Sequence, residues 1–162
     1  MIDQIKELIA EAEAFKAQTK EEVEAYRIKL LGQKGIVKQY FAEFKNVAND
    51  QKKEFGQVIN TLKKTAEEKE RLTLAKNSDT NKEILYYLAE KDPSADVRKA
   101  VARNKSMPMH ASQILAQDAD KDVRLALAGR LVELLPDLSR DKHSQLYAFA
   151  VQALGTLALD EV

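Results

Sequence analysis

Two stretches of the chain share one frame, and that frame leaves little choice of fold. EILYYLAEKDPSADVRKAVARN (83–104) and SQILAQDADKDVRLALAGR (112–130) each place Leu-Ala before a turn, then run D-x-x-x-D-V-R-x-A-x-A. Leu88-Ala89 and Leu115-Ala116 stand 27 residues apart, and the Asp-Val-Arg triplets at 96–98 and 122–124 stand 26 apart. RLTLAKN (71–77) repeats the RKAVARN end of the unit (98–104) at a similar offset. One such unit has an apolar face that it cannot bury alone, so copies must stack against one another. Asp92, Asp96, Asp118 and Asp122 are expected in turns or at helix starts, where a carboxylate accepts open backbone N–H groups. Arg98 and Arg124 open the helix bodies and are expected to pair with neighbouring aspartates as a ladder. The last segment holds two more helical patterns around Pro136 and Ser139-Arg-Asp141. Leu157-Ala158-Leu159-Asp160 then reads as the opening of a further unit, so the array is expected to be truncated at its C-terminus.

Composition agrees with helices throughout. Charged residues make up 32% of 162 residues, aromatic ones 6%, and there are only five glycines and three prolines. That balance favours long solvated helices over a sandwich or barrel, with a core of Leu, Ile, Val and Ala. The chain has no cysteine, which excludes a disulfide scaffold and any thiolate site. No apolar run approaches the roughly 20 residues needed to cross a bilayer, and the N-terminus MIDQIKELIAEAEAF is not a signal peptide. A cytoplasmic protein is expected.

The first 70 residues follow a different logic. Ile2, Ile5, Leu8, Ile9 and Ala12 recur at helical spacing. Thr19-Lys-Glu-Glu22 reads as a capping box that opens a second helix carrying Val23, Tyr26, Ile28, Leu30 and Leu31. Gly32 and Gly35 end it, with the positive φ angles of a C-cap and turn expected there. Ile36, Val37, Tyr40, Phe41 and Phe44 mark a short third helix. Phe55, Val58, Ile59, Leu62 and Ala66 lie on one face of a longer one. Residues 1–70 thus read as an antiparallel helical hairpin with a broken, aromatic-rich corner. No Gly/Pro/Ser linker interrupts 66–72, so the long helix is expected to run directly into residues 71–162.

Formal charge is zero overall, yet it is unevenly placed. Residues 1–26 carry seven acidic and three basic side chains, whereas residues 27–53 carry seven basic and two acidic ones. The basic set is Arg27, Lys29, Lys34, Lys38, Lys45, Lys52 and Lys53. A local excess of this size creates a useful field on a neutral molecule, although such a run also serves simply as a solvated face. GQKG (32–35) is no P-loop: it lacks GxxxxGK[ST] and follows no strand. It reads as a helix-breaking turn whose flanking cations are free to meet phosphate.

EEVEAYRIKLLGQKGIVKQYFAEFKNVANDQKKEFGQVINTLKK (21–64) resembles the N-terminal arm of the phenylalanyl-tRNA synthetase alpha subunit. Arg27, Leu31-Gly32-Gln33-Lys34-Gly35, Gly56, Ile59-Asn60 and Leu62-Lys63 fall on that family's positions, and Gln33 stands where a lysine is usual. The resemblance covers about residues 1–70 and implies a coiled-coil arm that reaches the outer corner of a bound tRNA and carries no chemistry. The class II aminoacylation motifs that would follow residue 70 in that family are missing here. Residues 71–162 instead resemble HEAT-like and leucine-rich-repeat-variant helical repeats, which implies a scaffold for an unspecified protein partner.

Arg27, Lys29, Lys34, Lys38 and Lys45 are the expected nucleic-acid contacts, with Arg27, Lys34 and Lys38 foremost because they flank the corner. Tyr40, Phe41 and Phe44 offer faces for base stacking, but Phe41 and Phe44 at i, i+3 read more simply as packing. His110, placed in the MPMHAS turn, and His143, placed at the surface, have no second ligand at helical spacing, so no metal site is expected. The aspartates at 92, 96, 118, 120 and 122 lack the glycine and closing glutamate of an EF-hand. No catalytic pair or cofactor motif stands out, and an enzyme is not expected. The fold expected is all-α, a helical-hairpin arm (1–70) followed by a short alpha solenoid (71–162). The function expected is a non-catalytic, tRNA-binding arm joined to a protein-interaction scaffold. The alternative is a protein–protein adaptor, or an engineered or generated chimera, in which both halves only pack helices.

Overall fold

The computed structural model describes residues 1–138 and 145–160. Every regular element among them is helical, and they form two compact units, Met1–Thr73 and Leu74–Val162.

The first unit contains α1 (Ile2–Ala14), α2 (Lys20–Leu31), α3 (Ile36–Glu43) with a 3-10 turn at Phe44–Asn46, and most of α4 (Lys52–Lys76). The capping box forms as the sequence predicts. Thr19 Oγ1 accepts from the Glu22 N–H at 3.2 Å while Glu22 Oε2 accepts from the Thr19 N–H at 3.3 Å. Such a cap is worth about 1 kcal/mol and fixes where α2 begins. Ile5, Ala12, Tyr26, Leu30, Val37, Phe55, Ile59, Leu62 and Ala66 form one buried cluster.

Contacts along the helices set their directions. Phe15 stacks on Tyr26 with centroids 4.1 Å apart, and Glu11 lies 3.8 Å from Lys29, so α1 and α2 are antiparallel. Arg27 reaches Glu70 at 4.0 Å and Tyr40 meets Phe55 edge-on at 6.3 Å, so α2 and α3 run antiparallel to α4. Lys6 pairs with Glu54 at 3.1 Å, which lays α1 alongside α4 in the same direction. A two-helix hairpin is therefore incomplete as a description. Ile5 and Ala12 of α1 are fully covered in the same cluster, making this a three-stranded arrangement.

Gly32 and Gly35 differ from expectation. Both have negative φ (−60° and −68°), and no residue among the described ones has a positive one. Their necessity is one of space. A Cβ on Gly32 would come within 2.5 Å of the Ile28 carbonyl oxygen, and one on Gly35 within 2.7 Å of the Leu30 carbonyl oxygen. The turn folds back onto the end of α2 too closely for any side chain.

The second unit holds α5 (Lys82–Lys91), α6 (Ala95–Arg103), α7 (Met109–Leu115), α8 (Lys121–Leu138) and α9 (Gln145–Asp160). Helix α4 continues unbroken through residues 66–72, where no breaker stands. Helix α5 packs on α6 and α7, α6 on α8, and α8 on α9. Leu85, Val97, Val101, Leu115, Val123, Leu127 and Leu131 are fully buried between them.

The repeated frame reappears as repeated hydrogen bonds. Asp92 Oδ1 accepts from the Ser94 N–H and Asp118 Oδ1 from the Asp120 N–H, both at 2.9 Å. Arg98 donates to the Asp92 carbonyl at 2.9 Å, and Arg124 to the Asp118 carbonyl at 2.7 Å. The side chains of Asn77 and Asn104 likewise each accept from the N–H two residues on. Asn104 also donates to the Ala75 and Asn77 carbonyls at 2.7 and 2.9 Å, satisfying carbonyls at and just past the end of α4.

Asp92, Asp96, Asp118 and Asp122 stand in turns or first helical turns, as the spacing predicts, and Asp120 adds the side-chain cap of α8, accepting from the N–H groups of Asp122 and Val123. The Asp–Arg ladder has one rung among the described residues, Arg98 to Asp118 at 2.7 and 3.2 Å, while Arg124 bonds only backbone carbonyls and its buried Nε meets no partner. Leu157 is buried near the end of α9, as Leu88 is in α5 and Leu115 in α7. Ser139, Asp141 and His143 lie outside the described residues.

Candidate nucleic-acid interface

The corner between α2 and α3 is built by the glycine turn. The Gly35 N–H donates to the Gly32 carbonyl at 2.9 Å, and Gln39 Nε2 donates to the Lys34 carbonyl at 2.8 Å. This double closure fixes a short loop whose Lys34 is exposed, with Lys38 in the first turn of α3 and Lys45 on the 3-10 turn beyond. All three are exposed, and none makes an ion pair among the described residues.

Arg27 and Lys29 lie further back on α2 and are differently placed. Arg27 donates twice to Glu24, at 2.8 and 2.6 Å, in a bidentate geometry that fits guanidinium to carboxylate. That hydrogen bond raises the Arg27 pKa above its ordinary value and lowers that of Glu24. Lys29 stands 3.8 Å from Glu11. Of the five expected contacts, Lys34, Lys38 and Lys45 are exposed cations without an ion pair among the described residues. Arg27 and Lys29 already have carboxylate partners.

Phe41 and Phe44 are less buried than packing alone requires. Phe44 leans on Phe55 at 6.3 Å but stays 37% exposed, and Phe41 is 43% exposed. Together with Gly56 they floor an open groove of about 470 Å³, and Lys52, Lys53, Gln57 and Asn60 rim it. The sequence offered a signal for this groove in Gly56, an otherwise unfavourable residue inside a helix. A Cβ there would come within 3.3 Å of the Phe44 ring. Asn60 belongs to the family pattern noted above, whereas Gln57 carries no motif and only the fold reveals its place.

Elsewhere, a larger groove of about 600 Å³ lies between α6 and α8. Its charges are mixed and largely self-paired, Lys99 with Asp96 and Arg130 with Glu133, both at 3.3 Å. His110 sits in the first turn of α7, not in a loop, and is exposed. Among the described residues no cluster of His, Asp or Glu is arranged to hold a metal, and no helix is long and apolar enough to cross a membrane.

Residues 18–78 match the family described as the aminoacyl tRNA synthetase class II N-terminal domain. The chain is 62% identical over 84 residues to the phenylalanine–tRNA ligase alpha subunit of Flavobacterium psychrophilum, covering 52% of this chain and 24% of that protein. It is 65% identical over 69 residues to the corresponding subunit of Christiangramia forsetii, and 64% identical over 69 residues to that of Flavobacterium johnsoniae. The chain spans about a quarter of the first relative's length and 20% of the other two. No solved structure matches the chain.

Proposed function

We propose that the first unit is a non-catalytic tRNA-binding arm. The observation that carries this is the run of exposed cations from the glycine turn to the 3-10 turn, Lys34, Lys38 and Lys45, left without ion pairs among the described residues in a region related to a tRNA ligase subunit. Lysines so placed displace counterions from phosphates and recognise the shape of a folded RNA more than its sequence. Arg27 and Lys29 serve as a secondary zone, because a phosphate there must compete with Glu24 and Glu11. The second unit, with its 26-residue frame and matching hydrogen bonds, acts as a stacked helical scaffold in the manner of HEAT-like repeats and binds a protein partner.

A salt titration of tRNA binding by the full chain tests the arm. Affinity falls as salt rises, and the joint substitution Lys34→Ala and Lys38→Ala lowers the slope of log K against log salt by about 1 to 2. If the chain binds tRNA no better than an unrelated helical protein of equal local charge, the arm only packs helices and the adaptor alternative stands.

A further inference from the structure

The groove beside the lysine corner has a composition that a solvated turn does not need. Phe41 and Phe44 present two phenyl rings to solvent at 43% and 37% exposure, although the neighbouring Phe55 is fully buried. Gly56 keeps the ring floor uncovered, since even a methyl group there would crowd Phe44. On the rim, Lys52 bonds only the Asn49 side chain at 3.0 Å, and Lys53 makes no ion pair among the described residues. No carboxylate lines the groove. One turn apart on α4, Gln57 and Asn60 expose amide groups that bond nothing else in the described chain. Each amide offers both donors and an acceptor.

An aromatic floor, amide edges and a rim whose charges are all cationic are complementary to one ligand chemistry: a flat heteroaromatic ring carrying a phosphate. We infer that this groove takes an unpaired nucleobase, stacked on Phe41 and Phe44 and edge-bonded by Gln57 and Asn60. The adjoining phosphate lies against Lys52 and Lys53. The inference rests on the RNA-binding proposal above and deepens it, because it assigns the arm a base contact as well as backbone contacts. An acidic peptide satisfies the rim but leaves the amides and the ring faces without matched partners.

The test uses the full chain with two synthetic single-stranded RNA oligomers of equal length, one bearing bases and one abasic. Stacking contributes about 5- to 150-fold per base, so the base-bearing oligomer binds at least about fivefold more tightly. Phe41→Ala removes most of that advantage and leaves the salt slope unchanged, because no phosphate contact is lost. Phe41→Tyr, which keeps a ring, restores it. An unchanged unfolding midpoint for Phe41→Ala shows that the fold is intact. If Phe41→Ala binds both oligomers as the wild type does while Lys34→Ala with Lys38→Ala weakens both, the stacking site is wrong, the groove is open to a peptide, and the backbone proposal survives. If the wild type shows no salt-dependent binding to tRNA or to either oligomer, both proposals fall.

Discussion

The two units solve the same problem, reversing the chain between helices, by opposite means. In the second unit the turns consume their own polar groups. Asp92 and Asp118 accept local N–H groups, Arg98 and Arg124 return to the turn carbonyls, and Asn104 closes the end of α4. In the first unit the turn at 32–35 relies on two glycines and leaves Lys34 exposed, and the segment beyond it exposes Lys38, Lys45, Phe41 and Phe44. Charge spent inside a turn stabilises the fold, whereas charge left outside is available to a partner. Substitutions in the two places should therefore separate stability from binding.

The largest stability effect is expected at Arg98. Its guanidinium is 17% exposed and Asp118 is 6% exposed, so Arg98→Ala strands a buried carboxylate. A loss of about 3 kcal/mol follows, lowering the unfolding midpoint by roughly 6 to 12 °C. Arg124→Ala should cost clearly less, because Arg124 holds no carboxylate. Equal losses would remove the distinction between the rung and the turn bond. Next comes Asn104→Ala, which leaves the carbonyls of Ala75 and Asn77 without their side-chain donor and is expected to cost about 2 kcal/mol in denaturant unfolding.

Tyr26 gives a pH-dependent test within the first unit. Burial, reinforced by the nearby Glu70 carboxylate, pushes its phenol up to about 12 from 10.0. The folded state therefore holds this proton more tightly than the unfolded chain does. The stability it contributes is complete below pH 10 and lost as pH rises from about 10 to 12, by roughly 2 to 3 kcal/mol. Tyr26→Phe should abolish that loss, and it should be neutral or slightly stabilising at pH 7, because the hydroxyl has no protein hydrogen-bond partner. The smallest stability effect belongs to the corner: Lys34→Ala and Lys38→Ala each change unfolding by less than about 0.5 kcal/mol.

Much of this division was legible before the structure. Apolar spacing located α1, α2 and α4, the Thr19 box set the start of α2, and the repeated Asp-Val-Arg marked α6 and α8. What escaped was tertiary. The placing of Asp120 as the cap of α8, with Asp122 inside the helix, depends on where a turn ends by one or two residues, which spacing does not resolve. The frame predicts an aspartate partner for Arg98, but which one it takes, Asp118 across 20 residues, is set by the fold. Glu11 reduces the usefulness of Lys29 only once α1 is seen beside α2, whereas Glu24, three residues before Arg27 on the same helix, is a partner that counting charges over a window passes over. The groove at Gly56 required the fold outright, because its floor comes from α3 and the turn beyond it, and its rim from α4.

The most direct measurement compares two triple variants of the full chain in tRNA binding at several salt concentrations. One removes the corner cations (Lys34, Lys38 and Lys45 to Ala); the other removes three exposed lysines of the second unit (Lys82, Lys91 and Lys105 to Ala), an equal change in charge. The corner variant should lose about tenfold or more in affinity at low salt and show a slope smaller by about 2 to 3, with the second-unit variant close to wild type. Equal weakening by both would mean that binding follows net charge alone, and would contradict a tRNA site at the glycine corner.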